Sequence, residues 1–81
     1  MARQLKSKPI ESLINTSNNK GKVNFICENY EFGSIKVLET GHDIFAHMSQ
    51  IIDVIQANDI VLLDIEQGQK GPIAVNVRLY K

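Results

Sequence analysis

From Lys20 onward, apolar and polar positions alternate in short segments, each closed by turn-forming residues, and this pattern predicts strands. Five are expected: Lys22 to Glu28, Phe32 to Leu38, Asp43 to Met48, Asp59 to Glu66 and Ile73 to Tyr80. Asn29-Tyr30-Glu31, Glu39-Thr40-Gly41-His42 and Gln67 to Pro72 separate them. Ser49 to Asn58 is a longer connection in which Ile51, Ile52 and Ile55 suit a short helical turn. Short strands at this spacing point to an all-β sandwich or barrel. About sixty residues of antiparallel strand leave open edges unless the sheet curls shut, so a small five-stranded antiparallel barrel is the economical solution.

Residues 1–19 have a different texture. Pro9, Ile10, Leu13 and Ile14 stand at helical spacing, enough for one or two amphipathic turns, before Asn15-Thr16-Ser17-Asn18-Asn19 ends the period. So short a helix needs a surface to dock on. The expected organisation is a flexible or partly helical basic N-terminal arm over 1–19, followed by a barrel over 20–81.

Alternation within the strands assigns faces. Ile35 and Val37 share one face of the second strand, with Phe32, Ser34 and Lys36 on the other. Ile44, Ala46 and Met48 share one face of the third, with Phe45 and His47 opposite. The aliphatic faces make the interior, so Phe32 and Phe45 are expected outside. Aromatic residues gathered on adjacent strands form a patch, and exposed apolar patches usually bind something. Phe25 is open to two assignments, a core residue or a third outer ring, because a bulge near it would change its face.

Composition narrows the function classes. The 81 residues suffice for one domain, and 43% hydrophobic with 22% charged residues is ordinary for a globular chain. Nine basic residues balance nine acidic ones, but unevenly. Arg3, Lys6, Lys8, Lys20 and Lys22 face only Glu11 in residues 1–22, a net +4, which leaves residues 23–81 at −4. A mildly acidic body with a basic leader is not the uniform basic surface of a duplex-DNA binder. The single Cys27 cannot form an intramolecular disulfide, which favours a reducing compartment. No apolar run approaches the ~20 residues that span a bilayer, and no hydrophobic stretch of signal-peptide length follows Met1 to Lys8. A cytoplasmic protein without membrane contact is expected.

Catalytic and metal chemistry find little support. A strand sets His42 and His47 on opposite faces, and Cys27 has no second cysteine to complete a ligand set. Ser49 beside His47 lacks a third orienting partner, and Cys27 has Glu28 rather than a basic neighbour. The Gly68 to Gly71 turn is not flanked by the strand and helix of a phosphate loop. No enzyme activity, cofactor or metal is expected.

Several segments together resemble the cold-shock domain, a five-stranded barrel of the oligonucleotide-binding (OB) type. Gly21-Lys22-Val23-Asn24-Phe25-Ile26 is similar to the family's opening, where a tryptophan commonly stands at the position of Phe25. Tyr30-Glu31-Phe32-Gly33-Ser34-Ile35 resembles its first ribonucleoprotein-type motif, usually Lys-Gly-Phe-Gly-Phe-Ile. Asp43-Ile44-Phe45-Ala46-His47-Met48-Ser49 resembles the second, usually Asp-Val-Phe-Val-His-Phe-Ser. Ile65-Glu66, Gly68, Lys70-Gly71-Pro72, Ala74 and Asn76-Val77 match its closing strands. The chain departs from the pattern at Asn24, Ile26, Tyr30, Glu31, Ser34 and Met48, and its connection after His47 is shorter than usual.

The resemblance implies binding of single-stranded RNA or DNA in an RNA-chaperone-like role. Phe25, Phe32 and Phe45 would form the stacking platform, with His47 at its edge and Tyr30 as a further ring. Lys22, Lys36 and Lys70 would contact the nucleic-acid backbone; their plain alternative is that of solvated surface charges. A second reading keeps the barrel and turns its acidic surface to a basic protein partner. A monomer is expected, with weak pairing of two chains as the alternative. Removing residues 1–18 is expected to weaken binding chiefly at low salt.

Overall fold

A computed structural model describes residues 9–80. The leader's Arg3, Lys6 and Lys8 lie outside the described residues. Five strands form a closed barrel: β1 (Thr16–Cys27), β2 (Phe32–Val37), β3 (Asp43–His47), β4 (Ile60–Gly68) and β5 (Gly71–Leu79). Their order around the barrel is β1-β2-β3-β5-β4, with β4 returning to β1. Closure pairs each strand on both sides and removes the open edges. Four of the pairings are antiparallel. The β3–β5 contact is parallel, at Phe45 and Ile73, so the wholly antiparallel barrel expected from hairpin spacing needs that correction. Those two strands are not consecutive, and the chain between them carries the whole of β4.

The alternating aliphatic residues fill the interior. Val23, Ile35, Val37, Ile44, Ala46, Val61, Leu63, Ile65, Ala74 and Val77 form one buried cluster. Gly21 is needed where β1 crosses this interior. A Cβ there would lie 2.7 Å from Ile35 Cγ2 and 2.8 Å from Leu63 Cδ2. Gly41 serves a different purpose: its φ of 77° lets the chain turn tightly from β2 into β3.

The segment before β1 contributes to this core. Residues Ile10–Leu13 form a single 3₁₀ turn, and Ile10 and Leu13 join the buried cluster. The apolar spacing seen in the sequence thus marks a docked turn. β1 itself begins at Thr16, six residues earlier than alternation indicated. Polar Asn and Ser residues hid that part of the strand, because its outer side faces water. The connection after β3 carries a second 3₁₀ turn at Met48–Gln50, ahead of the isoleucines expected to form it.

Two bulges shape the wall around β4. Between Thr16 and Asn19, β1 advances one residue more than β4; between Asp64 and Leu62, β5 does the same. Asn18 and Asn76 occupy these stretches with φ of 60° and 53°, the left-handed backbone that asparagine tolerates. Asp64 lies between them on β4. Its carboxylate accepts from the Asn18 backbone N–H at 3.0 Å, Asn76 Nδ2 at 3.1 Å and an Arg78 guanidinium nitrogen at 3.2 Å.

Candidate nucleic-acid interface

The outer face of β1, β2 and β3 carries the three phenylalanines. Phe25 is 46% exposed, Phe45 is 58% exposed, and Phe32 between them is half-buried. Phe32 meets Phe25 edge-on at 5.9 Å between ring centroids, and Phe45 edge-on at 5.2 Å. Such edge-to-face pairs are a favoured aromatic geometry, so the rings hold one another in place while presenting surface to water.

A bulge decides the position of Phe25. Val23 pairs with Ile35 and Phe25 with Ser34, so two steps on β1 match one on β2. Simple alternation would put Phe25 on the same side as buried Val23. The extra residue, Asn24, reverses the parity, and both Asn24 and Phe25 face outward. Asn24 Nδ2 donates to Ser34 Oγ at 3.1 Å and to Asp43 Oδ1 at 2.9 Å, tying the bulge to β2 and β3. Ser34 pairs across the strands with both Phe25 and Phe45. It is on the outer face as alternation predicts, yet only 4% exposed.

His47 stands directly across from Phe32 on β3. Its Nδ1 accepts from the Ser49 backbone N–H at 3.1 Å and lies 2.8 Å from Ser49 Oγ. A ring nitrogen that accepts carries no proton, so the opposite nitrogen, Nε2, bears one. That Nε2 lies 3.8 Å from Glu31 Oε1.

The remaining candidates are spread more widely. Lys22 and Lys36 are direct cross-strand partners on the exposed face, an unfavourable pairing of like charges. Lys36 Nζ lies 3.6 Å from Asp43 Oδ1 in a half-exposed ion pair. Lys70 is exposed in the β4–β5 turn, just before Ile73, which borders Phe45. Tyr30 is 77% exposed at the tip of the β1–β2 turn, and among the described residues no ring contact joins it to the phenylalanines. Sequence reasoning missed Ile73, itself 38% exposed beside Phe45. Its neighbour comes from a non-consecutive strand, so only the pairing reveals it. Cys27 is a half-buried free thiol. Among the described residues no group of three histidine, cysteine, aspartate or glutamate side chains could hold a metal ion, and no helix is long and apolar enough to cross a membrane.

The sequence that forms this barrel and carries the ring cluster matches a known family model. Residues 19–80 match the 'Cold-shock' DNA-binding domain. The chain belongs to the cold-shock domain family. The match includes the three phenylalanines, His47 and all but the first three residues of β1. Among similar proteins is the major cold shock protein of Streptococcus pyogenes serotype M1, 37% identical over 62 residues that cover 72% of this chain and 91% of the relative. The cold shock-like proteins CspC of Shigella flexneri and Escherichia coli strain K12 are also 37% identical over 62 residues, covering 72% of this chain and 90% of each relative. Membership in the cold-shock family makes nucleic-acid binding the general activity of this barrel.

Proposed function

We propose that the chain binds single-stranded RNA or DNA by stacking successive bases on Phe25, Phe32 and Phe45, and so acts as an RNA chaperone without catalysis. The observation that carries this reading is the contiguous row of three outward rings on neighbouring strands. An unpaired base has a flat π-face available to such a row, whereas a base within a duplex does not. Each stacked base contributes roughly 1–3 kcal/mol, so three rings supply a gross ~3–9 kcal/mol. Ordering a flexible strand consumes part of that. Because a 1 μM dissociation constant requires about 8 kcal/mol net, micromolar or weaker binding is expected.

His47 serves the edge of the platform, and Tyr30 meets a base beyond it. Lys22 and Lys36 attract phosphate, helped by the relief an anion brings to their mutual repulsion. Lys70 and the leader add longer-range attraction. Binding only the open strand shifts a hairpin equilibrium toward the open form without ATP. The closed barrel supports a monomer, since it offers no strand edge to a second copy. The lone free Cys27 fits a reducing, cytoplasmic setting.

The test is a titration with a heptamer of uridine or thymidine followed by backbone amide shifts. Shifts concentrated around Phe25, Phe32, Phe45 and His47 are expected; their absence at low salt would remove the reading. A second reading, a protein-interaction module, draws on one observation. An apolar groove of about 320 Å³ runs between Ile26, Met48 and the β3–β4 connection, where Ile52 is 65% and Val54 95% exposed. Glu28 and Asp53 also line it and would suit a basic partner.

A further inference from the structure

At the loop end of the ring row, two side chains flank Phe32. Glu31 immediately precedes it, and His47 is its cross-strand partner. The backbone holds both: the Met48 N–H donates to the Glu31 carbonyl at 2.9 Å, and the Glu31 N–H donates to the Glu28 carbonyl at 3.2 Å. Glu31 has φ of 60°, a left-handed conformation that glycine adopts without strain and glutamate does not. A local turn therefore gains nothing from glutamate here. Its Oε1 and His47 Nε2 stand 3.8 Å apart, beyond hydrogen-bond length, and the side chains are 72% and 60% exposed. A contact so open to water contributes little to stability. What the two side chains do provide is an acceptor-only carboxylate beside an N–H donor, fixed on Nε2 by the Ser49 contact.

We propose that Glu31, together with His47, selects guanine as the base stacked on Phe32. This rests on the stacking function proposed above. Guanine is the base that sets two donors side by side on its pairing edge, N1–H and the N2 amino group, with the O6 acceptor next to them. A carboxylate receives both donors in a paired geometry, as it receives a guanidinium. His47 Nε2–H then donates to O6. Uracil offers the carboxylate one imino N–H, while adenine and cytosine each offer one amino hydrogen on that edge. All three form one hydrogen bond fewer. The same carboxylate repels the phosphates of every strand alike, so it lowers affinity generally, and selectivity arises from the base-edge hydrogen bonds.

The experiment compares three RNA heptamers: all uridine, uridine with one central guanosine, and uridine with one central inosine, which lacks only the N2 amino group. The wild type should bind the guanosine heptamer at least about fivefold more tightly than the inosine heptamer, the effect of one charge-assisted hydrogen bond. In Glu31→Gln that ratio should fall below about twofold, with uridine-heptamer affinity unchanged or higher. Glu31→Gly should also lose the ratio while melting no lower than the wild type, since glycine suits the backbone there. Equal binding of guanosine and inosine heptamers by the wild type overturns the role of Glu31, as does a ratio retained in Glu31→Gln. If the uridine heptamer still shifts the phenylalanine face in either case, the platform stands without the selectivity. If no heptamer binds at low salt, both proposals fall together.

Discussion

At Phe32 and Phe45 the side chains have little to do for the interior, because the barrel is filled by aliphatic residues from the opposite faces of the same strands. Truncating either ring should therefore cost binding more than folding. Phe32→Ala and Phe45→Ala are each expected to weaken uridine-heptamer binding at least about fivefold, consistent with loss of one stacked base. Fluorescence anisotropy gives the affinity, and an unchanged far-ultraviolet circular dichroism spectrum verifies the barrel. Two variants that bind like the wild type would remove the platform. Gly21 presents the opposite case, a residue that matters to folding alone. The methyl group of Gly21→Ala would press on the branched Cγ2 of Ile35 and lie 3.1 Å from the Lys36 carbonyl. Overpacking of this kind costs about 1–3 kcal/mol, readable as a lower urea midpoint. The outward placement of Phe32 and Phe45 was legible from alternation, because β2 and β3 pair without a break in register.

Among elements, β4 is held by the clamp at Asp64. Burial alone would raise this carboxyl's pKa, but hydrogen bonds from Asn18, Asn76 and Arg78, with the Arg78 charge, outweigh it and bring it below the ordinary 3.8. A depressed folded-state value means the native state favours the ionised form. The clamp's contribution is then complete above the unfolded value near 3.8 and fades as pH falls through the lower folded value. Asp64→Asn should accordingly cost about 1–2 kcal/mol at neutral pH. That difference from the wild type should shrink in urea denaturation below the unfolded carboxyl value; a gap constant with pH would contradict the clamp. The 3₁₀ turn before β1 invites a similar test. Leu13 is 6% exposed in the core, so Leu13→Ala should destabilise by about 2–5 kcal/mol although it lies outside every strand. Helical spacing of Ile10 and Leu13 was visible in the sequence, but the surface that receives them is assembled from distant strands. Nothing local distinguished a docked turn from a free one.

For the whole molecule, the separation of a basic leader from an acidic body predicts a salt-dependent term in binding. The truncation that tests it should stop at residue 8. Removing residues 1–18 would also take Ile10 and Leu13 from the core and Asn18 from the Asp64 clamp, confounding folding with binding. Deletion of residues 1–8 should weaken oligonucleotide binding severalfold at low ionic strength and little near physiological salt, because screening shortens the reach of those charges to about 8 Å. Equal loss at both salt concentrations would indicate direct contacts instead.

The amino-acid sequence determined the five strands, the faces of β2 and β3, and the family, because period-two alternation and short motifs are local properties that survive without tertiary context. Tertiary structure decided the rest. Whether Phe25 points inward or outward depends on one extra residue at Asn24, and the register that reveals it exists only once β1 pairs with β2. The parallel meeting of Phe45 with Ile73, and the facing of Glu31 and His47, likewise require barrel closure and strand pairing. These are contacts between residues far apart or on different strands, and alternation along one strand carries no record of which strand lies beside it.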